Sequence, residues 1–534
     1  MKIIISYPPL QHTKGFPTLG QNRQFQYFKE PTFIYPVVPA QAATLLKQAG
    51  HEVIWLDCIA EGVPYDRFME IIHKEKPDVL AFETKTPVVK QHWKIINDIK
   101  GLPAGGGAPC RRRGTGLSDK AGCLDPIGLG ASPKGVVPKV VLFGDHVTAL
   151  PEESFQNSRV DFVLTGGDYD FLLLNLCNVL ESVANLSTVN RQLSTKFEPG
   201  IYYRDNGQIR NTGVFELKHE LDLLPFIDRK LTHWQQYAYD NGNYKRTPGT
   251  YIMSGRDCWW GKCSFCSWTT LYTKFRARSP RNVLDEIGQL IEKYNVREIM
   301  DDCGSFPVGS WLKEFCEGMI SRGYNKRIYL DCNMRFGVLS QEDFSLMKKA
   351  NFRLLLFGLE SANQKTLDRI NKTLRVESIV EGCRSASRAG LYPHITIMFG
   401  YPWETYEEAL QTLKLGSWLL KKGYAFTAQA TMIIPYPGTP LFNECKENGW
   451  LKTLDWDDYD MKQPVMRRQF SDEKLAQLIQ GMYKVSFQPE FMLRKLSSLR
   501  GTDDLKYYLR AGKKVIGHIF DFNRHAAGDC LRKG

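Results

Sequence analysis

Three cysteines stand close together near the middle of the chain. Cys258, Cys263 and Cys266 are separated by four and then two residues, in the stretch CWWGKCSFC at 258–266. This stretch follows the run TYIM at 250–253, which is typical of a buried strand. A loop of this kind presents three thiolates to one point, and thiolates are ligands of both zinc and iron–sulfur clusters.

The three thiols alone leave the metal open. A structural zinc ion takes four protein ligands, whereas the next cysteine, Cys303, lies 37 residues further on and the nearest downstream histidine is His394. Three thiolates suit a four-iron cluster in which one iron stays open. Unrelated core thiols are a third interpretation, because a free cysteine is often simply buried. Disulfides are disfavoured in a reducing compartment.

The cysteine loop opens a segment in which strands and helices alternate. Strands are predicted at 250–253, 298–301, 328–331, 353–357, 394–399 and 427–434, with helices near 280–294, 311–322, 341–350, 376–389 and 405–421. Six strands in this order are typical of a partial parallel barrel, whose chemistry gathers at the carboxyl ends of the strands. Because the cysteines follow the first strand, we expect the active site there.

An earlier alternation spans residues 1 to 180. It predicts strands at 2–6, 52–56, 79–82, 140–143 and 162–164, with helices between them. This pattern indicates a doubly wound parallel sheet, which binds its ligand at the carboxyl ends of the strands. The candidate ligand-facing residues are therefore 7–10, 57, 83–86, 144–148 and 165–167.

These patterns divide the chain into four parts. Residues 1–195 are predicted to form the first domain, 196–245 a connector, 246–450 the barrel, and 451–534 a helical carboxyl-terminal region. The connector contains a predicted hairpin that turns at Asn206-Gly207. Residues 101–138 are rich in Gly, Pro, Ala, Arg and Ser, so we interpret them as a disordered surface insertion or a sequence artefact.

Three motifs of the barrel carry a family resemblance. The cysteine loop, FGLES at 357–361 and FGYPWET at 399–405 resemble, in kind and order, the core of the radical S-adenosylmethionine (SAM) enzymes over about residues 246–445. The commoner first cysteine gap in that family is three residues, whereas this chain has four. The resemblance implies that Cys258, Cys263 and Cys266 hold a [4Fe-4S] cluster. Its open iron would bind SAM, which the cluster cleaves to the 5′-deoxyadenosyl radical.

The same resemblance implies roles for five further residues. Phe265 matches the position of an aromatic ring against adenine, and Glu360 suits the ribose hydroxyls. Gly400 and Pro402 shape the loop near the adenine. Arg335 is expected to pair with the SAM carboxylate through its planar guanidinium.

Residue types alone leave alternatives for some of these positions. Glu360 also fits a surface acid before a helix, and Arg335 fits an ordinary ion-pair partner. The pair Asp301-Asp302 resembles carboxylates for acid–base or magnesium chemistry. We expect this pair instead to line the barrel mouth and to hold substrate or a loop.

The first domain contains short motifs at its predicted strand ends, namely YPP at 7–9, LD at 56–57, FGDHVT at 143–148 and GG at 166–167. They resemble the cobalamin-binding domain of one large class of radical SAM enzymes. This resemblance implies that Thr84 and Thr86 line the nucleotide tail of cobalamin, and that Gly166 and Gly167 permit a close backbone approach. The cobalt-ligating Asp-x-His-x-x-Gly motif is missing, so no cobalt ligand is assigned, and His146 is expected to make a structural hydrogen bond.

Composition bounds the class of protein. The 534 residues carry a formal charge of +12, with 43% hydrophobic residues, which is enough for two or three cores. No apolar run approaches the roughly 18 residues of a membrane span, and the first strand begins at once without a leader-like segment. We therefore expect a cytoplasmic protein with no integral membrane segment. Its basic clusters are scattered and no nucleic-acid motif is present, so nucleic acid is not expected as a partner.

The predicted fold class is α/β: an amino-terminal doubly wound (Rossmann-like) cobalamin-binding domain, a partial (β/α)6 radical SAM barrel and a helical carboxyl-terminal region. The resemblance implies an enzyme that methylates an unactivated carbon or phosphorus centre with the 5′-deoxyadenosyl radical and methylcobalamin. It also implies a small-molecule, lipid or peptide substrate and an electron donor such as flavodoxin or ferredoxin. A cobalamin-dependent cyclase or rearrangement enzyme, and a non-catalytic cobalamin or iron–sulfur sensor, are the alternatives.

Overall fold

The computed structural model describes residues 1–10, 14–17, 25–101, 137–185 and 197–521. The predicted insertion at 101–138 lies almost wholly outside the described residues. The chain divides into two units, one of residues 1–11, 38–219 and 224–233, and one of residues 12–37, 220–223 and 234–534. The four-part division inferred from the sequence stays a prediction. No helix in the described part of the chain is long and apolar enough to cross a membrane.

The strands, in chain order, are β1 (Lys2–Tyr7), β2 (Phe16–Pro17), β3 (Tyr27–Phe28), β4 (Glu52–Asp57), β5 (Val79–Glu83), β6 (Lys139–Phe143), β7 (Phe162–Leu164), β8 (Ile201–Asp205), β9 (Gln208–Asn211), β10 (Gly249–Ile252), β11 (Gly255–Arg256), β12 (Arg276–Ala277), β13 (Glu298–Asp301), β14 (Tyr329–Met334), β15 (Phe352–Glu360), β16 (Tyr392–Phe399) and β17 (Thr427–Met432). The helices are α1 (Val37–Gln48), α2 (Tyr65–Glu75), α3 (Val89–Lys100), α4 (Asp145–Ala149), α5 (Pro151–Asn157), α6 (Tyr169–Asn185), α7 (Trp268–Leu271), α8 (Pro280–Tyr294), α9 (Ser310–Ser321), α10 (Gln341–Lys349), α11 (Gln364–Arg369), α12 (Val376–Arg388), α13 (Tyr406–Lys422), α14 (Pro440–Glu447), α15 (Asp472–Lys484), α16 (Pro489–Ser497) and α17 (Thr502–Asp521).

The first unit is built on a seven-stranded sheet with the order β4-β1-β5-β6-β7-β8-β9. The first five strands in this order are parallel, which confirms the predicted doubly wound sheet. The hairpin β8–β9, predicted from Asn206-Gly207, pairs antiparallel with β7 and extends the sheet. Strand order reverses between β1 and β5, where such sheets bind their ligands.

The second unit contains a six-stranded parallel sheet with the order β10-β13-β14-β15-β16-β17. This is the predicted partial barrel, and its strands begin and end close to the predicted residues. After β17 the chain is helical, as predicted. Helix α15 packs on β17, where the hydroxyl of Tyr483 accepts from the N–H of Ala430 and donates to its carbonyl.

Local signals in the sequence determine where several barrel helices begin. Helix α8 begins after Ser279, whose hydroxyl accepts from the N–H of Asn282, with Pro280 in the first turn. Helix α13 begins with a capping box formed by Thr405 and Glu408. These caps fix where the helices after β12 and β16 begin, and so limit the loops that precede them.

Candidate active site

A cavity of about 400 Å³ lies inside the second unit. Its wall includes alternate residues of β15, because successive side chains of a strand point to opposite faces. It also includes the loops at the carboxyl ends of β10, β14 and β15. The structure thereby brings together, around one cavity, six residues predicted to bind the metal or SAM: Cys258, Cys263, Cys266, Phe265, Arg335 and Glu360.

Main-chain hydrogen bonds hold the cysteine loop on both sides. The backbone of Cys258 pairs with that of Ser305 beyond β13. The N–H of Ser264 donates to the carbonyl of Ile370 over 3.0 Å, and its carbonyl accepts from the N–H of Leu441 over 2.9 Å. The indole N–H of Trp259 donates to the carbonyl of Phe306. The loop is therefore positioned by residues distant in sequence.

The three thiols suit an iron–sulfur cluster in chemistry and surroundings. All are half-buried, and none forms a disulfide. Burial raises the pKa of Cys263, whereas the cations Lys372 and Arg335 lower it. Among the described residues, no three His, Cys, Asp or Glu side chains take the arrangement of a single bound metal ion. Three soft ligands with cations beside them fit the predicted cluster, since cations offset the charge of thiolates.

Glu360 ends β15 inside the protein, so the surface-acid alternative is wrong. Its carboxylate accepts from the ammonium of Lys372 over 2.8 Å, and its φ of +62° lies in the left-handed region. A Cβ at Gly358 would lie 2.1 Å from Oε1 of Glu360 and 2.6 Å from Nζ of Lys372. Glycine at 358 therefore leaves room for this ion pair beside the cavity, because a Cβ there would displace the ends of both side chains.

Arg335 makes no ion pair with a carboxylate among the described residues, contrary to the second alternative. Its guanidinium stacks on the ring of Trp260 at 4.2 Å and donates to the carbonyls of Lys372 and Thr373. Burial lowers its pKa. The indole of Trp260 in turn donates to the carbonyl of Asn371. Residues 371–373 are thus held against the cysteine loop.

Lys372 is a site residue that the sequence did not indicate. Burial alone would lower its pKa, but Glu360 and Cys263 outweigh this and raise it. Its ammonium lies 6.0 Å from the ring centre of Phe265. A lysine in a loop gives no signal by itself, because only the fold shows that the loop after α11 returns to the cysteines.

The two residues after β16 that were predicted to shape the loop near the adenine are Gly400 and Pro402. Gly400 has a φ of +98°, and a Cβ there would contact Leu475 at 3.4 Å. Neither Gly400 nor Pro402 is among the described residues that line the cavity. Nearby, burial raises the pKa of Glu404 to about 6, and its carboxylate accepts from the hydroxyl of Ser361.

Asp301 and Asp302 are neighbours in sequence but have different surroundings. The carboxylate of Asp301 accepts from the N–H groups of Ser254 and Cys303, and burial raises its pKa to about 7. Asp302 lines the cavity, as predicted. Asp301 therefore holds the start of the cysteine loop, as the loop-holding interpretation required.

In the first unit, Thr84 and Thr86 are buried with their hydroxyls already bonded. Oγ1 of Thr84 lies 2.9 Å from Nδ1 of His92, and Oγ1 of Thr86 lies 3.1 Å from Nδ1 of His146. Nε2 of His146 lies 3.0 Å from Glu153, so its expected structural hydrogen bonds are present. The contact of both threonines with a cobalamin tail stays a prediction.

The side chain of Phe215 closely approaches the backbone at Gly166. Gly166 has a φ of +81°, and a Cβ there would lie 2.4 Å from the ring of Phe215. The N–H of Gly166 donates to the hydroxyl of Thr148 over 3.0 Å, within the same unit. Gly167 follows in the same turn before α6. The cofactor contacts proposed for both glycines stay predictions.

Comparison with known proteins identifies a family and several proteins to which this chain is similar. Residues 252–416, which run from the end of β10 into α13, match the Radical SAM superfamily. The chain is 24% identical to an uncharacterised methyltransferase of Pyrococcus horikoshii, over 87% of this chain and 91% of that protein. It is also 24% identical to the anaerobic magnesium-protoporphyrin IX monomethyl ester cyclase of Cereibacter sphaeroides, over 80% of this chain and 63% of the cyclase.

A solved structure shares the architecture. The radical SAM methyltransferase TsrM of Kitasatospora setae, solved with cobalamin and a [4Fe-4S] cluster, superposes with a TM-score of 0.62. The match is 13% identical and covers 98% of this chain and 99% of that one. At this identity the likeness shows the fold, and it agrees with the predicted succession of a Rossmann-like sheet, a barrel and a helical region.

Proposed function

We propose that this chain is a radical SAM enzyme, and more closely a cobalamin-dependent methyltransferase that acts on an unactivated carbon or phosphorus centre. The observation that carries the proposal is the convergence of three thiols, two cations and a buried carboxylate on one cavity at the carboxyl ends of the barrel strands. The methyltransferase names of several relatives support the reaction type.

The side chains around the cavity suit the parts of SAM. When bound, a [4Fe-4S] cluster supplies the electron that cleaves SAM, and cobalamin supplies a methyl group. Cys258, Cys263 and Cys266 would hold the cluster. Glu360 offers carboxylate oxygens to ribose hydroxyls, and Phe265 offers a ring to adenine.

Positive charge in the site comes from Arg335 and Lys372. Both side chains are largely buried beside the thiols. Low local dielectric strengthens their attraction for anionic groups, such as thiolates or the SAM carboxylate. Arg335 is held by carbonyl groups and by Trp260, so it acts from a fixed position, whereas Lys372 has a carboxylate partner that a ligand can replace.

A substrate-free assay tests the methyltransferase assignment. The anaerobically reconstituted full chain is loaded with cob(I)alamin and mixed with SAM, and S-adenosylhomocysteine is measured beside 5′-deoxyadenosine. A methyltransferase forms S-adenosylhomocysteine in step with cobalamin methylation. Formation of 5′-deoxyadenosine without about one equivalent of S-adenosylhomocysteine per bound cobalamin would contradict the proposal.

The second candidate function is cobalamin-dependent ring formation or rearrangement. The Cereibacter relative named a cyclase favours it. The same assay separates the two functions, since ring formation consumes no methyl group. A protein that cleaves no SAM at all would instead be the sensor.

The partners follow from the same proposal. We propose a flavodoxin or ferredoxin as the electron donor, and a small-molecule, lipid or peptide substrate. The cytoplasmic location and the lack of a nucleic-acid partner stay predictions of the sequence.

A further inference from the structure

Exposed apolar side chains concentrate at the carboxyl-terminal helices. Of the fourteen large hydrophobic residues that are exposed in the described part of the chain, seven lie between residues 487 and 516. The share is far above what so short a segment would hold by chance. Contiguous exposed apolar surface usually marks an interaction site. The seven are Phe487, Met492, Leu493, Leu496, Leu505, Leu509 and Ile516.

Helix α17 has one side that lines the cavity and an opposite side that carries exposed apolar residues. One side lines the cavity of the second unit, through Tyr507, Ala511, Lys514, Val515 and His518. At about 100° per residue, the exposed residues at 505, 509 and 516 fall roughly on the opposite side of the helix. Because the cavity side is held in the protein, the outer stripe is directed to solvent.

Helix α16 also carries exposed apolar residues. Met492, Leu493 and Leu496 are neighbours on one face of that helix. The hydroxyls of Ser498 and Tyr508 lie 2.7 Å apart and join the end of α16 to α17. This bond fixes the end of α16 to the side of α17.

The surrounding charge is basic. Residues 484–516 contain eight Lys or Arg and three Asp or Glu. Five charged residues of this segment are exposed. Four are basic, namely Lys484, Arg500, Lys506 and Lys513, and one is acidic, Glu490. Lys513 also pairs with Glu30. On α17, Lys506 and Lys513 lie on one side of the apolar stripe, where a helix that lies in a membrane interface carries basic residues.

We propose that α16 and α17 dock this enzyme on an anionic lipid bilayer. The apolar stripe enters the interface and the flanking lysines contact anionic headgroups. Exposed lysines argue for lipid over a protein partner, because lysine is depleted in protein interfaces. The contact is peripheral, and the inference does not depend on which reaction the site performs.

Vesicle co-sedimentation of the full chain tests this proposal. One set of vesicles is phosphatidylcholine alone, and the other is equal parts phosphatidylcholine and phosphatidylglycerol. We expect binding to the anionic vesicles, a roughly tenfold or larger loss in the double variant Leu505→Ser/Leu509→Ser, and a smaller loss in Lys506→Glu. Leu454→Ser, at an exposed leucine elsewhere in the second unit, should bind like the wild type.

A cooperative urea unfolding transition serves as the control that each variant is folded. The proposal is overturned if the wild type does not sediment with anionic vesicles, or if Leu454→Ser weakens binding as much as the double variant. Concentration-dependent self-association that Leu509→Ser abolishes, without vesicle binding, would assign the surface to a second copy of the chain and equally overturn it.

Discussion

The two parallel sheets of this protein expose different chemistry at the carboxyl ends of their strands. At the barrel end, thiols, Arg335, Lys372 and Glu360 surround a cavity. At the end of the first sheet, the hydroxyls of Thr84 and Thr86 are buried and bonded to histidines of the same unit. The topological rule that places ligands at these ends therefore says nothing about which side chains remain available.

We interpret this difference as one between side chains that are available to a ligand and side chains that are bonded within the protein. The charged groups of the barrel are directed at a cavity, so their substitution should change ligand binding. The threonines of the first sheet are bonded within the protein, so their substitution should change stability first. Each prediction below tests one side of this division.

The largest expected effect is at the thiols. Cys263→Ala removes one of three cluster ligands, and we expect the iron content and the brown absorbance of the anaerobic protein to be lost, together with SAM cleavage. Cys445→Ala removes a buried thiol elsewhere in the second unit and should keep its iron. Unchanged iron in Cys263→Ala would refute the cluster assignment.

A smaller effect is expected at Lys372. Lys372→Met leaves Glu360 buried without its cation, and we expect SAM to bind the cluster-loaded protein about tenfold more weakly, a change of about 1.4 kcal/mol. Equilibrium binding of SAM measures this effect. Lys365→Met, at an exposed position on α11, is the matched control. Equal affinity in the two variants would remove Lys372 from the site.

In the first unit, Thr84→Val should act on stability. Valine preserves the shape but leaves Nδ1 of His92 without its partner, which costs about 1–3 kcal/mol in the free energy of unfolding. Urea unfolding gives the size of the change, and cobalamin titration of the folded protein should give an unaltered affinity. Lost cobalamin affinity at unchanged stability would instead make Thr84 a cofactor contact and break the comparison.

The smallest effect near neutral pH is a pH dependence of the first unit, which we expect to stay below about 1 kcal/mol between pH 7 and pH 6. Burial lowers the pKa of His92 from 6.5 to about 3. Because the unfolded chain takes up this proton first, stability falls as pH drops from 6.5 towards 3, by at most about 1.4 kcal/mol per pH unit. His92→Gln should flatten this dependence in urea titrations at several pH values. His394, whose pKa is lowered to about 4, contributes a similar slope from the second unit.

Much of the fold followed from periodicity, as particular elements show. Helix α8 was predicted at 280–294 and is observed there, since Ser279 and Pro280 mark its start. Strand β15 runs to Glu360, beyond the predicted 357, because FGLES continues in the sheet despite a residue with positive φ. Such an extension depends on pairing with β16, which local pattern does not report.

The site was predicted in part. The three cysteines, Phe265, Arg335 and Glu360 line one cavity at the edge of the barrel to which motif and strand order both pointed, and their roles stay predictions. Lys372 was missed because its role depends on a loop that returns to the cysteines. The exposed stripe of α17 was missed as well, since its helical period does not tell which apolar side is buried.

By itself, the sequence determined the two αβ alternations, the caps and the three-cysteine loop, because these depend on spacing along the chain. Only the tertiary structure decided which polar groups near the strand ends are already bonded. Thr84 is bonded to His92, Gly166 is covered by Phe215, and Glu360 is paired with Lys372. These pairings join residues from separate elements, and burial sets their strength, so spacing alone does not encode them.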